Sequence, residues 1–242
     1  MASQPNPQIV SVGYNITPPF WMYLYALTAS LLIILPINKL YLHQKYKYHL
    51  NKSFFITDNY KDFKPKFRDT INNFISDGKL IKDSRNTIKS FNIGNLKLNI
   101  KRFKKPSFFN KIIYTFFRST KAQRSFNYAK KLIELGIATP KPIFYYNKFK
   151  SGLIYQSFYC SENIDYDYDM EYVFENKQLI NRDQLLKEFT LFTHNLHENG
   201  IMFLDHSRSN TLIKKNNNGY TFYLIDLNLS LIHISEPTRL WH

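Results

Sequence analysis

The stretch from Gly200 to Asn228, GIMFLDHSRSNTLIKKNNNGYTFYLIDLN, constrains the fold of this chain more than any other. Asp205 is followed five residues later by Asn210, and the chain then reaches Asp226. The intervening segment reads as two strands, TLIKK and YTFYLI, joined by Asn-Asn-Asn-Gly, a composition typical of a tight hairpin turn. Because a hairpin returns the chain to its starting level, we expect Asn210 and Asp226 to lie close together.

This arrangement of oxygen-bearing side chains suits phosphoryl transfer. In that chemistry one carboxylate accepts the proton of the attacking hydroxyl, and a lysine neutralises phosphate charge. An amide and a second carboxylate hold magnesium on the phosphates. An isolated Asp-x4-Asn spacing is common by chance. The full order of helix, Gly, Asp-x4-Asn, strand, turn, strand and Asp is far more specific.

Length and cysteine content exclude several classes of protein. The 242 residues are 44% hydrophobic, which predicts a globular chain with one domain or two small lobes. The single cysteine, Cys160, has no partner for an intramolecular disulfide or a cysteine-based zinc site. We interpret it as a small buried hydrophobic residue.

The net charge of +15 is unevenly distributed. Between Ser84 and Ile133 the chain has 13 Lys or Arg residues and no Asp or Glu. Such a run attracts nucleotide phosphates, anionic lipid head groups or nucleic acid, or it forms a solvated basic surface. Aromatic residues are not interleaved with the basic run as a base-stacking platform would require, so a basic nucleic-acid-binding protein is only a remote alternative.

A β-rich region precedes the hairpin. Strands are predicted over 79–82, 87–93 and 96–103, followed by a hairpin of 143–146 and 153–160. In the third strand apolar and basic residues alternate, which places Lys101 on the face opposite the core.

Two helices are predicted, one before and one after the hairpin of 143–146 and 153–160. One is capped by Ser119 or Thr120 and runs to Leu135. The other begins at Asn181, which forms a capping-box pattern with Gln184, and ends before Gly200.

The N-terminal segment contains a candidate transmembrane helix. Residues 20–37, FWMYLYALTASLLIILPI, carry no charge and would span roughly 27 Å as a helix. Lysines follow the apolar run, which predicts that the main body lies in the cytoplasm. Two alternatives remain: the apolar run is a buried helix, or residues 1–50 are upstream sequence translated by mistake.

From about residue 75 to 228 the chain resembles the protein-kinase-like superfamily. More closely, it resembles the lipopolysaccharide core kinases, the Kdo/heptose kinase family of Gram-negative envelopes. The residues that carry the resemblance are LNIK (98–101), KAQRSFNYAKKLIELGIATPKPI (121–143), HENGIMFLDHSRSNTLI (197–213) and YLIDLN (223–228). It implies an α+β, two-lobed protein-kinase-like fold with a β-rich N-lobe and a helical C-lobe.

The resemblance also implies roles for individual residues, with ATP and Mg²⁺ as cofactors. Lys101 is then the nucleotide lysine, Asp205 the catalytic base, and Asn210 and Asp226 the metal ligands. The turn that stands where the family places its phosphate-covering loop has no glycine, and it supplies Ser84, Arg85 and Asn86.

The implied reaction transfers the γ-phosphate of ATP to a sugar hydroxyl of the lipid A-core region of lipopolysaccharide, at the cytoplasmic face of the inner membrane. The chain departs from the family pattern in three places. Phe203-Leu204 replaces His-Arg before the aspartate, Ser125 stands where a helix glutamate is expected, and Leu227-Asn228 replaces Phe-Gly. The missing glutamate motivates an alternative, a catalytically impaired pseudokinase or binding module of the same fold.

The predicted domain boundaries follow from these features. Residues 1–50 form the N-terminal segment, 51–160 the N-lobe, and 161–228 a partial, truncated C-lobe. The sequence from Leu229 to Arg239, LSLIHISEPTR, resembles the translation of a transposon-type sequencing adapter, so residues 229–242 are predicted to be non-native.

Overall fold

A six-stranded antiparallel sheet forms the larger β region of the computed structural model. The structure describes residues 53–203, 207–217, 219–227 and 231–233, with backbone alone for 202, 203 and 231–233. The strand order is β1-β5-β6-β4-β3-β2. The strands are β1 (Phe54–Ile56), β2 (Lys79–Asp83), β3 (Thr87–Ile93), β4 (Leu96–Arg102), β5 (Pro142–Lys150) and β6 (Leu153–Glu162).

One face of this sheet is covered by the helix α1 (Lys64–Asn72). Leu98 and Ile100 of β4 are fully buried there, with Phe67 and Ile71 of α1 in the same apolar cluster. The alternation of β4 thus directs its apolar residues towards α1, as the sequence predicts.

The other face lies against the helices α2 (Phe108–Phe116) and α3 (Lys121–Glu134). The Thr120 hydroxyl caps α3 by accepting a hydrogen bond from Gln123 N at 3.2 Å, and it donates to Asn147 Oδ1 of β5 at 2.9 Å. Phe126 of α3 packs in a cluster with Phe103, just after β4. The helix predicted from Ser119 or Thr120 is therefore confirmed, with Thr120 as its cap.

The remaining elements include the predicted hairpin. Its strands pair antiparallel from Thr211↔Leu224 to Asn216↔Gly219, which confirms the turn signal in the sequence. The elements are β7 (Tyr168–Asp169), α4 (Met170–Glu175), α5 (Arg182–Glu198), β8 (Ile201–Phe203), β9 (Thr211–Asn216), β10 (Gly219–Leu224) and β11 (Leu231–His233), with short 3-10 helices at Asp58–Phe63 and Arg208–Asn210.

The capping box predicted at the start of α5 is wrong. Asn181 has a φ of 62°, in the left-handed region, and its side chain makes no capping hydrogen bond. A capping side chain needs an extended backbone at that residue to reach the first amides of the helix, and the left-handed conformation removes it. Gln184 instead donates from Nε2 to Glu188 Oε1 at 3.0 Å, along the helix.

Three sequence predictions fall wholly or partly outside the described residues. The candidate transmembrane helix at residues 20–37 and the candidate base Asp205 lie outside the described residues. Within the described residues, no helix is long and apolar enough to span a membrane. In the tail the structure pairs β11 with β8, from Leu231↔Phe203 to His233↔Ile201. This pairing does not test the origin of residues 229–242, which stays a prediction.

Candidate active site

The centre of the candidate site is an ion pair between two distant parts of the chain. Lys101 Nζ, from β4, lies 2.6 Å from Oδ1 of Asp226, which follows β10. Lys101 is 8% exposed, whereas the Asp226 side chain is 32% exposed. The lysine is thus buried on the face of the sheet that lies against α2 and α3. Its charge is matched by a carboxylate that is partly exposed to solvent.

The backbone around Asp226 is held in an uncommon conformation. Its φ is 57°, in the left-handed region, which costs a residue with a side chain roughly 1–2 kcal/mol. On one side Leu224 is fully buried, and on the other Leu227 is 4% exposed. Both pack in an apolar cluster with Ala129 and Leu132 of α3. This packing on either side of Asp226 fixes the turn and aims its carboxylate at Lys101.

The hairpin brings Asn210 to the same place. The carbonyl of Asn210 accepts a hydrogen bond from the backbone amide of Ile225, which directly precedes Asp226, at 2.9 Å. Asn210 is itself buried. The predicted proximity of Asn210 to Asp226 is therefore confirmed, and it follows from the register of β9 and β10.

Several cations surround the carboxylate of Asp226. Burial lowers the pKa of the Lys101 ammonium, Asp226 opposes this, and the charges of Lys82 and Arg85 lower it further. Burial also lowers the pKa of Lys121, the first residue of α3, with Arg85 as the next cause. Asp226 acts on Lys121 in the opposite direction. One carboxylate therefore faces an excess of positive charge, which suits an anionic ligand.

The turn between β2 and β3 is held by side-chain hydrogen bonds. Thr87 donates to Asp83 Oδ1 at 2.9 Å and accepts from Arg102 Nη2 at 3.1 Å. Asn86 Oδ1 accepts the backbone amide of Lys104 at 3.1 Å. Three residues of this turn are predicted to bind nucleotide. The Asn86 side chain is hydrogen-bonded to the backbone after β4, whereas Ser84 and Arg85 are exposed to solvent.

The helix α3 supplies no carboxylate to Lys101. Ser125, at the position of the expected glutamate, is buried at 3% exposure. Among the ion pairs of the described residues, the partner of Lys101 is Asp226. Lys82 and Lys121 were missed as charged neighbours of the site. The predicted start of α3 at Thr120 was the signal that could have identified Lys121.

Two aspartates just before α4, Asp167 and Asp169, make structural contacts. Asp167 Oδ2 accepts the backbone amide of Lys215 at 2.7 Å, and Asp169 Oδ1 caps α4 by accepting from Tyr172 N at 2.8 Å. Glu188 of α5 accepts the backbone amide of Tyr220 at 3.0 Å. The hairpin is thus tied to elements on both sides near its turn, at the end opposite Asn210 and Asp226.

The donor set that could hold a metal is small. No group of three or more His, Cys, Asp or Glu side chains with metal-binding geometry occurs within residues 53–203, 207–217 and 219–227. The Asp226 carboxylate and the Asn210 amide are nevertheless hard oxygen donors brought to one end of the hairpin, and magnesium typically takes only one or two protein carboxylates. These two residues fit a magnesium ion whose remaining ligands are oxygen atoms of substrate phosphates and water.

Comparison with known proteins identifies one family. The sequence profile of the lipopolysaccharide kinase (Kdo/WaaP) family matches residues 85–239, more than half of the chain. No curated protein sequence matches significantly.

Two solved structures were found among the matches to the chain. WaaP, in complex with acyl carrier protein, superposes with a TM-score of 0.50 at 14% identity, over 72% of this chain and 70% of its own. The MAP kinase LmaMPK10 from Leishmania major has a TM-score of 0.41 at 13% identity, over 76% of this chain and 48% of its own. The likeness to WaaP confirms the predicted kinase-like α+β fold.

Proposed function

Since the chain belongs to the lipopolysaccharide kinase (Kdo/WaaP) family, it is a kinase of lipopolysaccharide core sugars, and we propose how its residues carry out the transfer. The observation that carries the proposal is the 2.6 Å pair of Lys101 and Asp226 beside Asn210. A lysine, a carboxylate and an amide at one point are the groups that phosphoryl transfer from ATP requires.

The nucleotide phosphates bind in the cationic part of the site. Lys101 neutralises phosphate charge from β4, and Arg85 approaches from the β2–β3 turn. Lys121 adds a third positive charge from the start of α3. Arg85 and Lys121 take the place of the glycine-rich loop of other kinases, because side-chain cations can stabilise phosphates.

Asn210 and Asp226 would hold the magnesium ion. When bound, magnesium neutralises charge on the transferred phosphoryl group. The protein's own contribution is to keep the Asp226 carboxylate in position through its pair with Lys101 and the packing of Leu227.

Asp205 is proposed as the base. It lies five residues before Asn210 in the sequence, a separation short enough for it to act at the same end of the hairpin. The acceptor hydroxyl oxygen forms a bond to the γ-phosphorus while the bond from that phosphorus to the β-phosphate oxygen breaks. The hydroxyl proton passes to the Asp205 carboxylate, and ADP leaves.

The acceptor is proposed to be the lipid A-core region at the cytoplasmic face of the inner membrane. That substrate is anionic and lipid-linked, and the basic stretch from Ser84 to Ile133 would be attracted to it and to anionic head groups.

The test is phosphate transfer from labelled ATP and magnesium to purified lipid A-core acceptor. Asp205→Ala should lower the rate by roughly 10²–10⁴-fold, as expected for loss of a general base. Asp62→Ala, which removes an exposed carboxylate elsewhere, should leave the rate unchanged. Equal rates for wild type and Asp205→Ala would exclude Asp205 as the base. Nucleotide binding without transfer by the wild-type chain would indicate a binding module instead.

A further inference from the structure

Strand β4 carries a buried side-chain oxygen that no hydrogen bond satisfies. Oδ1 of Asn99 is closed to water and has no hydrogen-bond partner among the residues that the structure describes. Its cross-strand neighbours Ser90 and Ser161 carry hydroxyl groups, but neither donates to it. The Nδ2 atom of the same side chain, in contrast, donates to Oδ1 of Asn163 at 2.9 Å. A buried acceptor without a donor is destabilising, so this oxygen requires an explanation.

The orientation of the Asn99 amide is fixed by a chain of hydrogen bonds. Asn163 Nδ2 donates to Oδ1 of Asp165 at 3.2 Å. A carboxylate can only accept, so Asn163 directs its amino group to Asp165 and its oxygen to Asn99. Turning the Asn99 amide over would place two oxygen atoms against each other. Oδ1 of Asn99 is therefore the atom that is left without a donor.

Asn99 lies on the same face of the sheet as Lys101. The alternation of β4 buries Leu98 and Ile100 in the cluster that includes α1. Asn99 and Lys101 both face the other way, towards the side of the candidate site. Two residues of strand place their Cα atoms roughly 6.6 Å apart. Asn99 is thus a near neighbour of the lysine to which we assign the phosphates.

The register of the sheet places Asn99 and the cationic turn on opposite sides of Lys101. The turn that carries Arg85 enters β3 at Thr87, and Thr87 pairs with Arg102, the residue after Lys101. Asn99 precedes Lys101 on the same strand. A nucleotide that extends along β4 from phosphates held between Lys101 and Arg85 therefore brings its base to Asn99.

We propose that Oδ1 of Asn99 accepts a hydrogen bond from the exocyclic amino group of adenine and so selects ATP. The amide oxygen can only accept, and the 6-amino group of adenine donates, so the two are complementary. Guanine carries a carbonyl at this position, which would set two acceptors against each other. The proposal deepens the proposed function and rests on it, because it takes ATP as the phosphate donor.

Nucleotide affinity with and without the amino group tests the proposal. The ligands are ATP and purine riboside triphosphate, which lacks only the 6-amino group. Each displaces an ATP analogue labelled on the ribose from the full chain, in the presence of magnesium.

The wild-type chain should bind purine riboside triphosphate roughly 5- to 100-fold more weakly than ATP, the range expected for a buried acceptor left unsatisfied. Water cannot take the place of the amino group, because Oδ1 is closed to solvent. Equal affinities would overturn the proposal. This comparison needs no substitution, so it decides the matter whether or not a variant folds.

Asn99→Leu removes the acceptor at similar size and should bind the two nucleotides with nearly equal affinity. The matched control is Asn72→Leu, at an exposed position of α1, and it should keep the wild-type preference for ATP. If Asn99 served only to join β4 to Asn163, Asn99→Leu would weaken both nucleotides alike and keep that preference. Such a result would overturn the proposal.

The ribose hydroxyls are the other donors that a nucleotide could offer to Asn99. When 2′-deoxy-ATP or 3′-deoxy-ATP replaces ATP, wild type and Asn99→Leu should lose the same factor of affinity, because Asn99 contacts the base. A loss confined to the wild type would assign Oδ1 to a ribose hydroxyl and overturn the assignment to the base.

Failure of this proposal is distinguishable from failure of the proposed function. Asp205→Ala should lose phosphate transfer and keep the wild-type preference for ATP over purine riboside triphosphate. Transfer that depends on Asp205, together with equal affinities for the two nucleotides, would overturn the role of Asn99 alone. A wild-type chain that binds neither nucleotide would overturn both proposals.

Discussion

Lys101 Nζ and Asp226 Oδ1 lie 2.6 Å apart and join strand β4 of the large sheet to the end of the β9–β10 hairpin. The contact brings a buried ammonium together with a carboxylate on a left-handed backbone. A buried charge is tolerated only with such a partner, because its desolvation is otherwise uncompensated. The pair therefore stabilises the fold at the point where we place the phosphates.

The first prediction concerns the stability of this pair. Asp226→Asn should lower the free energy of unfolding by roughly 2 kcal/mol, below the ~3–5 kcal/mol typical of a fully buried pair because Asp226 is partly exposed. In the Asp226→Asn background, Lys101→Met should restore stability, since no charge is then left buried. Urea denaturation of both single variants and the double variant measures the coupling. Additivity within ~0.5 kcal/mol would contradict an energetic pair.

The second prediction concerns pH. The pKa of Lys101 lies below its ordinary value of 10.5, chiefly through burial. Its charge, and with it ATP affinity, should be complete below the lowered pKa and lost as the pH rises through it. Lys101→Arg keeps its charge to higher pH, so its affinity should persist further into the alkaline range. Titration with a fluorescent ATP analogue measures both profiles, and coincident profiles would contradict the prediction.

Lys121 is a second group with a lowered pKa in the site, caused first by burial and then by Arg85. Lys121→Arg should therefore move the alkaline loss of ATP affinity in the same direction as Lys101→Arg. The exposed lysine Lys187 provides the control, since Lys187→Arg should leave the profile unchanged.

The third prediction concerns the start of α3. Thr120 both caps the helix and bonds Asn147, so Thr120→Val should lower the free energy of unfolding by roughly 1–3 kcal/mol. Thr120→Ser keeps the hydroxyl and should cost much less. Because the cap positions Lys121, Thr120→Val should also weaken ATP binding. A Thr120→Ser variant as unstable as Thr120→Val would contradict the prediction, because the methyl group would then contribute as much as the hydroxyl.

The fourth prediction separates backbone strain from steric clash. Gly78 and Gly94 have φ values of 82° and 62°, so Ala at either position should cost roughly 1 kcal/mol in backbone conformation. At Gly78 a Cβ atom would also lie 2.5 Å from the Phe91 ring, whereas at Gly94 the nearest atom is 4.0 Å away. Gly78→Ala should therefore be the more destabilising by thermal denaturation. Equal melting temperatures would mean that Phe91 moves aside freely.

The hairpin and its flanking residues were predictable because their signals are local. The Asn-Asn-Asn-Gly segment selects a tight turn, and apolar alternation fixes which residues of β4 are buried. The proximity of Asn210 and Asp226 follows from that turn and from the register of the two hairpin strands. The cap at Thr120 was equally local, since a threonine before an apolar-periodic stretch satisfies the first amides of a helix.

Prediction from the sequence failed where one local signal is compatible with two backbone conformations. Asn181 can cap a helix or adopt a left-handed turn, and in the structure it adopts the left-handed conformation. The helix α2 was not predicted, because several of its large apolar residues are exposed and its buried residue is the polar Thr115.

The sequence by itself determined the family, the kinase-like fold, and the residues near which the phosphates are expected to bind. Only the tertiary structure decided that Lys101 pairs with Asp226 and that Ser125 is buried without a carboxylate beside that lysine. It also placed Lys121 and Arg85 near the pair. The physical reason is range: turns, caps and alternation depend on neighbouring residues, whereas an ion pair depends on how separate strands and helices pack.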